Sequence, residues 1–93
     1  MSGGDGAATE NAVLGRLLRD MRETAGLPLE HVAAVLTLPP ERIAAYESGA
    51  APLPLAVFIA ISEMADIPID IAAEAALTHL DRLHYPEEPE TDP

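Results

Sequence analysis

The sequence predicts an all-α fold, a compact bundle of five helices. Apolar residues recur at the three- and four-residue spacing of a helical stripe, and proline or glycine breaks the chain between successive stripes. The composition agrees: 48% of the 93 residues are apolar, and only two Tyr and one Phe supply aromatic bulk. That suits one small domain of thin helices around a single modest core.

Residues 1–8, rich in Gly and small side chains, offer little to bury and are expected to form a disordered N-terminal tail. Thr9 or Asn11 can cap a first helix running to about Ala25, with Val13, Leu14, Leu17, Leu18 and Met21 as its buried stripe. Gly26 ends it. Gly15 is costly inside a helix, so either the ordered helix starts there or another backbone passes close. A second, short helix from Leu29 would turn Val32, Ala33, Val35 and Leu36 inward. Thr37-Leu38-Pro39-Pro40 then breaks it, because Pro39 has no N–H to give and disfavours helical geometry at Leu38. A third helix restarts at Pro40 or Glu41, where a first-turn proline loses no hydrogen bond, and carries Ile43, Ala44 and Tyr46 or Glu47 inward. Gly49 stops it as a left-handed cap.

After the proline-punctuated loop 50–54, Pro54 or Leu55 opens a fourth helix in which Leu55, Phe58, Ile59 and residues 62–64 alternate between core and surface. Asp66-Ile67-Pro68 breaks it. Asp70 caps a fifth helix to about His84, with Ala73, Ala76, Leu77, Leu80 and Leu83 at helical spacing. That last stripe can close the core or, with Tyr85 protruding, serve a dimer. The bundle thus spans 9–85, and the proline-rich, acidic 86–93 is expected to form a disordered tail.

Leu29 to Gly49, LEHVAAVLTLPPERIAAYESG, has the look of a helix-turn-helix, whose second helix enters the DNA major groove. With LGRLLRDMRETAGL before it and YESG at its end, the chain resembles the Cro/lambda-repressor (XRE-type) helix-turn-helix family over about Leu14 to Asp70. The resemblance implies a lambda-repressor-like bundle with the helix-turn-helix at helices two and three, acting in transcription on operator DNA, as a homodimer. It implies a partly buried ion pair between Arg22 and Glu47, tying the third helix to the first. Ala33 takes the small-residue position where the two motif helices cross, Gly49 the helix stop, and Leu55 the fourth-helix anchor. Ile67 to Asp70 resembles the closing hydrophobic-x-hydrophobic-Asp pattern.

The departures concern the reading surface. Where the family has a polar cap followed by Gln, this chain has Pro28 and Leu29. Where the family has Gly at the turn, it has Thr37, at a left-handed cost of roughly 1–2 kcal/mol. The groove-facing positions hold Pro39, Pro40, Glu41, Arg42, Ala45 and Ser48. Charge is equally awkward: five Arg and no Lys face sixteen acids, a net of −11, and residues 10–84 alone carry eleven acids. That is the wrong sign for a polyphosphate partner.

Two readings follow. In the first, Arg42 and Ser48 enter the major groove beside Pro40, Glu41 and Ala45, while Arg16 or Arg19 touches phosphate, and binding is weak or assisted. Arg42 can instead pair with Glu41, Glu47 or Glu30. In the second, the motif is degenerate and acts as an adaptor or inhibitor through a protein partner. Leu29, Leu38, Pro39, Pro40 and Leu53 then form an apolar docking face.

Other classes find no support. No cysteine is present to build a disulfide framework or thiolate site. His79 and His84 are five apart, about 140° round a helix, so they do not converge on a metal. Ser48 has no His-acid arrangement, and Gly3-Gly4-Asp5-Gly6 lies in the tail instead of between strand and helix. The longest apolar run, Leu55 to Ile61, is too short to span a bilayer. The expectation is a cytoplasmic regulator with no enzymatic activity, no cofactor and no membrane partner.

Overall fold

The computed structural model describes residues 5–84, and for side chains 9–84. It contains α1 (Asp5–Thr24), α2 (Leu29–Leu36), α3 (Pro40–Ser48), α4 (Leu55–Met64) and α5 (Ile69–His84), with no strand among the described residues. The expectations for residues 1–4, for Tyr85 and for 86–93 lie outside that range.

The helix α1 starts at Asp5, ahead of the Thr9 or Asn11 cap expected from sequence. Ala7 and Ala8, strong helix formers, extend it backwards. It ends as the glycine requires: Gly26 has φ +73°, and the Leu27 N–H reaches back to the Arg22 carbonyl at 3.0 Å. The next three helices open on proline. Pro28, Pro39 and Pro54 take extended geometry at the N-caps of α2, α3 and α4, with no side-chain cap hydrogen bond at any of them. Thr37 ends α2 at φ +57°, the left-handed conformation expected of it, and the Leu38 N–H closes onto the Ala33 carbonyl at 2.9 Å. Gly49, at φ +84°, ends α3 in the same way. A second non-glycine residue in this region, Asp66 at φ +62°, turns the chain between α4 and α5. The helix α5 begins at Ile69, one residue before the expected cap, so Asp70 sits in the first turn near the positive end of the helix dipole.

The core gathers Leu17, Leu18 and Met21 of α1, Val32 and Ala33 of α2, Ile43 and Tyr46 of α3, Val57, Phe58 and Ile61 of α4, and Ala72 of α5. Ser62 is fully buried, its hydroxyl donating to the Ile59 carbonyl at 2.8 Å. Four expectations about the core are corrected. Val35 is 54% exposed, because it lies about 200° round α2 from Ala33. Ala44 is exposed on α3, where Ile43 and Tyr46 take the inward positions. Leu55 is 71% exposed; it stands at the very start of α4, and Val57, Phe58 and Ile61 anchor the helix instead. On α5, Leu77 is 66% exposed, and Ala72 is the one residue of that helix fully inside. The small side chains Ala72, Ala75 and Ala76 bring α5 close to its neighbours, which rotates Leu77 outward.

Gly15 explains itself through α3. A Cβ at this position would collide with the Tyr46 carbonyl oxygen and stand 2.6 Å from that of Glu47. A Cβ on Gly49 would reach the Ala12 Cα at the same 2.6 Å. Two glycines, one on α1 and one at the end of α3, therefore let the two backbones touch.

Candidate nucleic-acid interface

The last turn of α3 is fixed by chemistry as well as by contact. Arg22 Nε donates to one Glu47 carboxylate oxygen at 2.6 Å and its Nη2 to the other at 3.1 Å, a bidentate pair linking residues 25 apart in sequence. The third guanidinium nitrogen donates to the Leu27 carbonyl at 2.8 Å. Both side chains are nearly sealed, at 12% and 8% exposure. The hydrogen bonds Arg22 donates to Glu47, with the attraction of that carboxylate's charge, hold the guanidinium above its ordinary pKa against the opposing effect of burial. Arg22 thus fastens α1, α3 and the start of the loop to α2, and is spent as a cation for any partner.

Outside that clasp, α3 shows solvent Pro40, Glu41, Arg42, Ala44 and Ser48, with Ala45 half-buried and Pro39 exposed at the cap. Arg42 makes no ion pair among the described residues, so the expected alternatives with Glu41, Glu47 and Glu30 are not formed. Ser48 is less available: its hydroxyl donates to the Ala45 carbonyl at 3.2 Å and accepts the Ala50 N–H at 3.3 Å, closing the helix end. The signal for that local commitment is Ser in the last turn of a helix, which often bonds backward.

The three arginines of α1 do not form one strip. Arg19 is exposed and bound to Glu23 at 2.9 Å; that hydrogen bond raises the pKa of Arg19 and lowers that of Glu23. Arg22 belongs to Glu47. Arg16 stands with Asp20 and His79 around a shallow depression between α1 and α5. The positive charge expected along α1 is therefore dispersed, and Arg16 makes no ion pair among the described residues.

The alternative docking residues also separate. Leu29 and Leu38 are half-buried against the core, so Pro39 and Pro40 are the exposed members of that face. Leu53 belongs elsewhere: it lines a groove with residues of α1, α4 and α5. Among the described residues, no group of three or more His, Cys, Asp or Glu could hold a metal ion, and no helix is long and apolar enough to cross a membrane. His84 Nε2 instead meets Glu10 Oε2 at 2.6 Å, joining the end of α5 to α1.

A family model described as a helix-turn-helix domain matches residues 13–77, more than half of the chain, and covers every element from within α1 to the middle of α5. No curated protein and no solved structure matches the chain. With Ala33 buried on α2 and α3 tied to α1 through Arg22 and Glu47, the chain belongs to the helix-turn-helix domain family.

Proposed function

We propose that the chain is a cytoplasmic transcription regulator that binds operator DNA weakly or with assistance, two copies occupying paired half-sites. One observation carries this reading. Arg42 is exposed and outside any ion pair among the described residues, on a helix whose far end is held rigidly to α1. In this reading Arg42 reaches base edges or phosphate in the major groove, with Ser48, Pro40, Glu41 and Ala45 beside it and Arg16 or Arg19 at the backbone. Weakness follows from the charge. Few cations meet phosphate, and eleven acids in residues 10–84 oppose the approach.

The test is fluorescence anisotropy of a labelled random duplex and of a duplex from the protein's own promoter, at low and moderate salt. Each neutralised phosphate contributes a slope of about −0.9 in log affinity against log salt, so a few contacts per copy give a visible decline. Promoter binding that is tighter than random and falls with salt supports the proposal. No binding to either duplex at micromolar protein removes it.

A further inference from the structure

The side of the bundle away from the α3 surface carries a feature that operator binding does not use. Leu14, Leu55, Phe58, Ala73, Leu77 and Leu80 line an open groove of about 340 Å³ between α1, α4 and α5. Phe58 forms its buried floor, while Leu55 and Leu77 stand on its rims, largely in solvent. No residue of α3 contributes to it.

One rim is charged. At about 100° per residue, Asp70, Glu74 and Asp81 fall within about 60° of Leu77 on α5, on the side turned away from buried Ala72. All three are exposed. Arg82 lies about 140° from Leu77, on the other side of the helix, and His84 is engaged with Glu10. The result is an apolar channel with a row of carboxylates along its edge. Such a groove matches a helix with an apolar stripe and cations beside it, since apolar side chains supply affinity and rim charges set the register.

We propose that this groove docks an amphipathic helix of a partner protein whose apolar stripe is flanked by Lys or Arg. A second copy fits less well. A two-fold pairing sets a patch against itself, so the α5 carboxylates of one copy would approach those of the other, in a chain with no Lys and a net charge of −11. The segment following His84 has the wrong sign too, with Glu87, Glu88, Glu90 and Asp92 and no base. An uncharged apolar ligand would make no use of the carboxylates. The proposal stands independently of operator binding, because a helix in this groove leaves Arg42 and Ser48 uncovered.

The experiment titrates the full chain into a fluorescein-labelled synthetic amphipathic helix with leucines at helical spacing and lysines on both flanks. A matched peptide carries glutamates in place of the lysines. The lysine peptide is expected to bind at least about tenfold more tightly at low salt, with the gap closing as salt rises. Leu55→Gln/Leu77→Gln keeps the charge and alters only solvent-facing side chains; it is expected to weaken the lysine peptide about tenfold. Asp70→Lys/Glu74→Lys/Asp81→Lys is expected to reverse the preference between the peptides. Equal binding of the two peptides, binding of neither, or lysine-peptide binding that survives Leu55→Gln/Leu77→Gln would overturn the proposal; the last would mean diffuse attraction to an acidic surface. Sedimentation velocity supplies a further outcome: self-association abolished by Leu77→Gln assigns the groove to a second copy and overturns it as well. Anisotropy of promoter DNA is expected to be the same for Leu55→Gln/Leu77→Gln and the parent chain, so failure of one proposal does not mimic failure of the other.

Discussion

Replacing Gly15 with Ala sets two well-defined effects against each other. Alanine is the better helix former, and in an exposed helix interior the exchange stabilises by about 1 kcal/mol. Here the new methyl group would point at the backbone of α3. It would sit 2.6 Å from the Glu47 carbonyl oxygen and 2.8 Å from its carbon, and closer still to the Tyr46 oxygen, where ordinary contact begins at 3.4 Å. Those atoms belong to the last turn of a helix and cannot rotate away as a side chain would. To relieve the overlap, α3 must retreat by most of an ångström, loosening the Arg22–Glu47 hydrogen bonds and the packing of Tyr46. Overpacking of this kind costs about 1–3 kcal/mol, and a fixed backbone obstacle places it at the upper end. The net expectation is destabilisation by about 2 kcal/mol, or a melting temperature about 10 °C lower for a domain of this size. Circular dichroism at 222 nm during thermal and urea unfolding measures it. Gly26→Ala is the control: its φ is +73° but nothing lies within 4 Å, so it carries only the left-handed cost of about 1 kcal/mol. A Gly15→Ala variant as stable as the parent would refute the claim that the two helices touch through this glycine.

Other expected outcomes follow from the same contacts. Arg22→Ala strands the Glu47 carboxylate at 8% exposure and takes a donor from the Leu27 carbonyl; a loss of about 3 kcal/mol is expected in urea unfolding. Thr37→Gly relieves a β-branched residue at φ +57° and, after the added freedom of the unfolded chain, is expected to stabilise by about 0.5–1 kcal/mol in thermal melts. Arg42→Ala leaves stability unchanged and weakens promoter binding, lowering the salt slope by about one unit per copy where the contact is to phosphate and relaxing the preference for the promoter over a random duplex where it is to a base edge; unaltered affinity for both duplexes would exclude Arg42 from the interface.

Much of the fold was written in local chemistry. Gly26, Thr37-Leu38-Pro39 and Gly49 act within a few residues, so the helix ends they set can be read from sequence alone. Gly15 announced that something passed close, without saying what. Facing directions were harder. The helix α2 has eight residues, too few turns to fix the phase of its stripe, so apolar Val35 reads as interior although it faces solvent. The apolar arc of α5 spans alanines and leucines together, and its phase depends on how closely alanine lets α1 approach. Leu77 shares that uncertain phase, Leu55 takes its anchor role only from the resemblance, and only their juxtaposition in three dimensions makes them the rims of one groove. The Arg22–Glu47 contact crosses 25 positions, beyond any local rule, and came into view only through family resemblance. Ser48 and Arg42 looked alike as polar positions on α3, yet one closes the helix end while the other projects into solvent.

Three helices in succession begin at a proline with no side-chain acceptor to hold the first turn. A carboxylate placed there would lose its hold on acidification; a pyrrolidine ring has no proton to gain. The cap residues themselves therefore carry no group that titrates, and they act before folding, by narrowing the conformations open to the denatured chain. Part of this domain's stability thus resides in what its unfolded form is denied, a contribution that no inventory of native contacts contains.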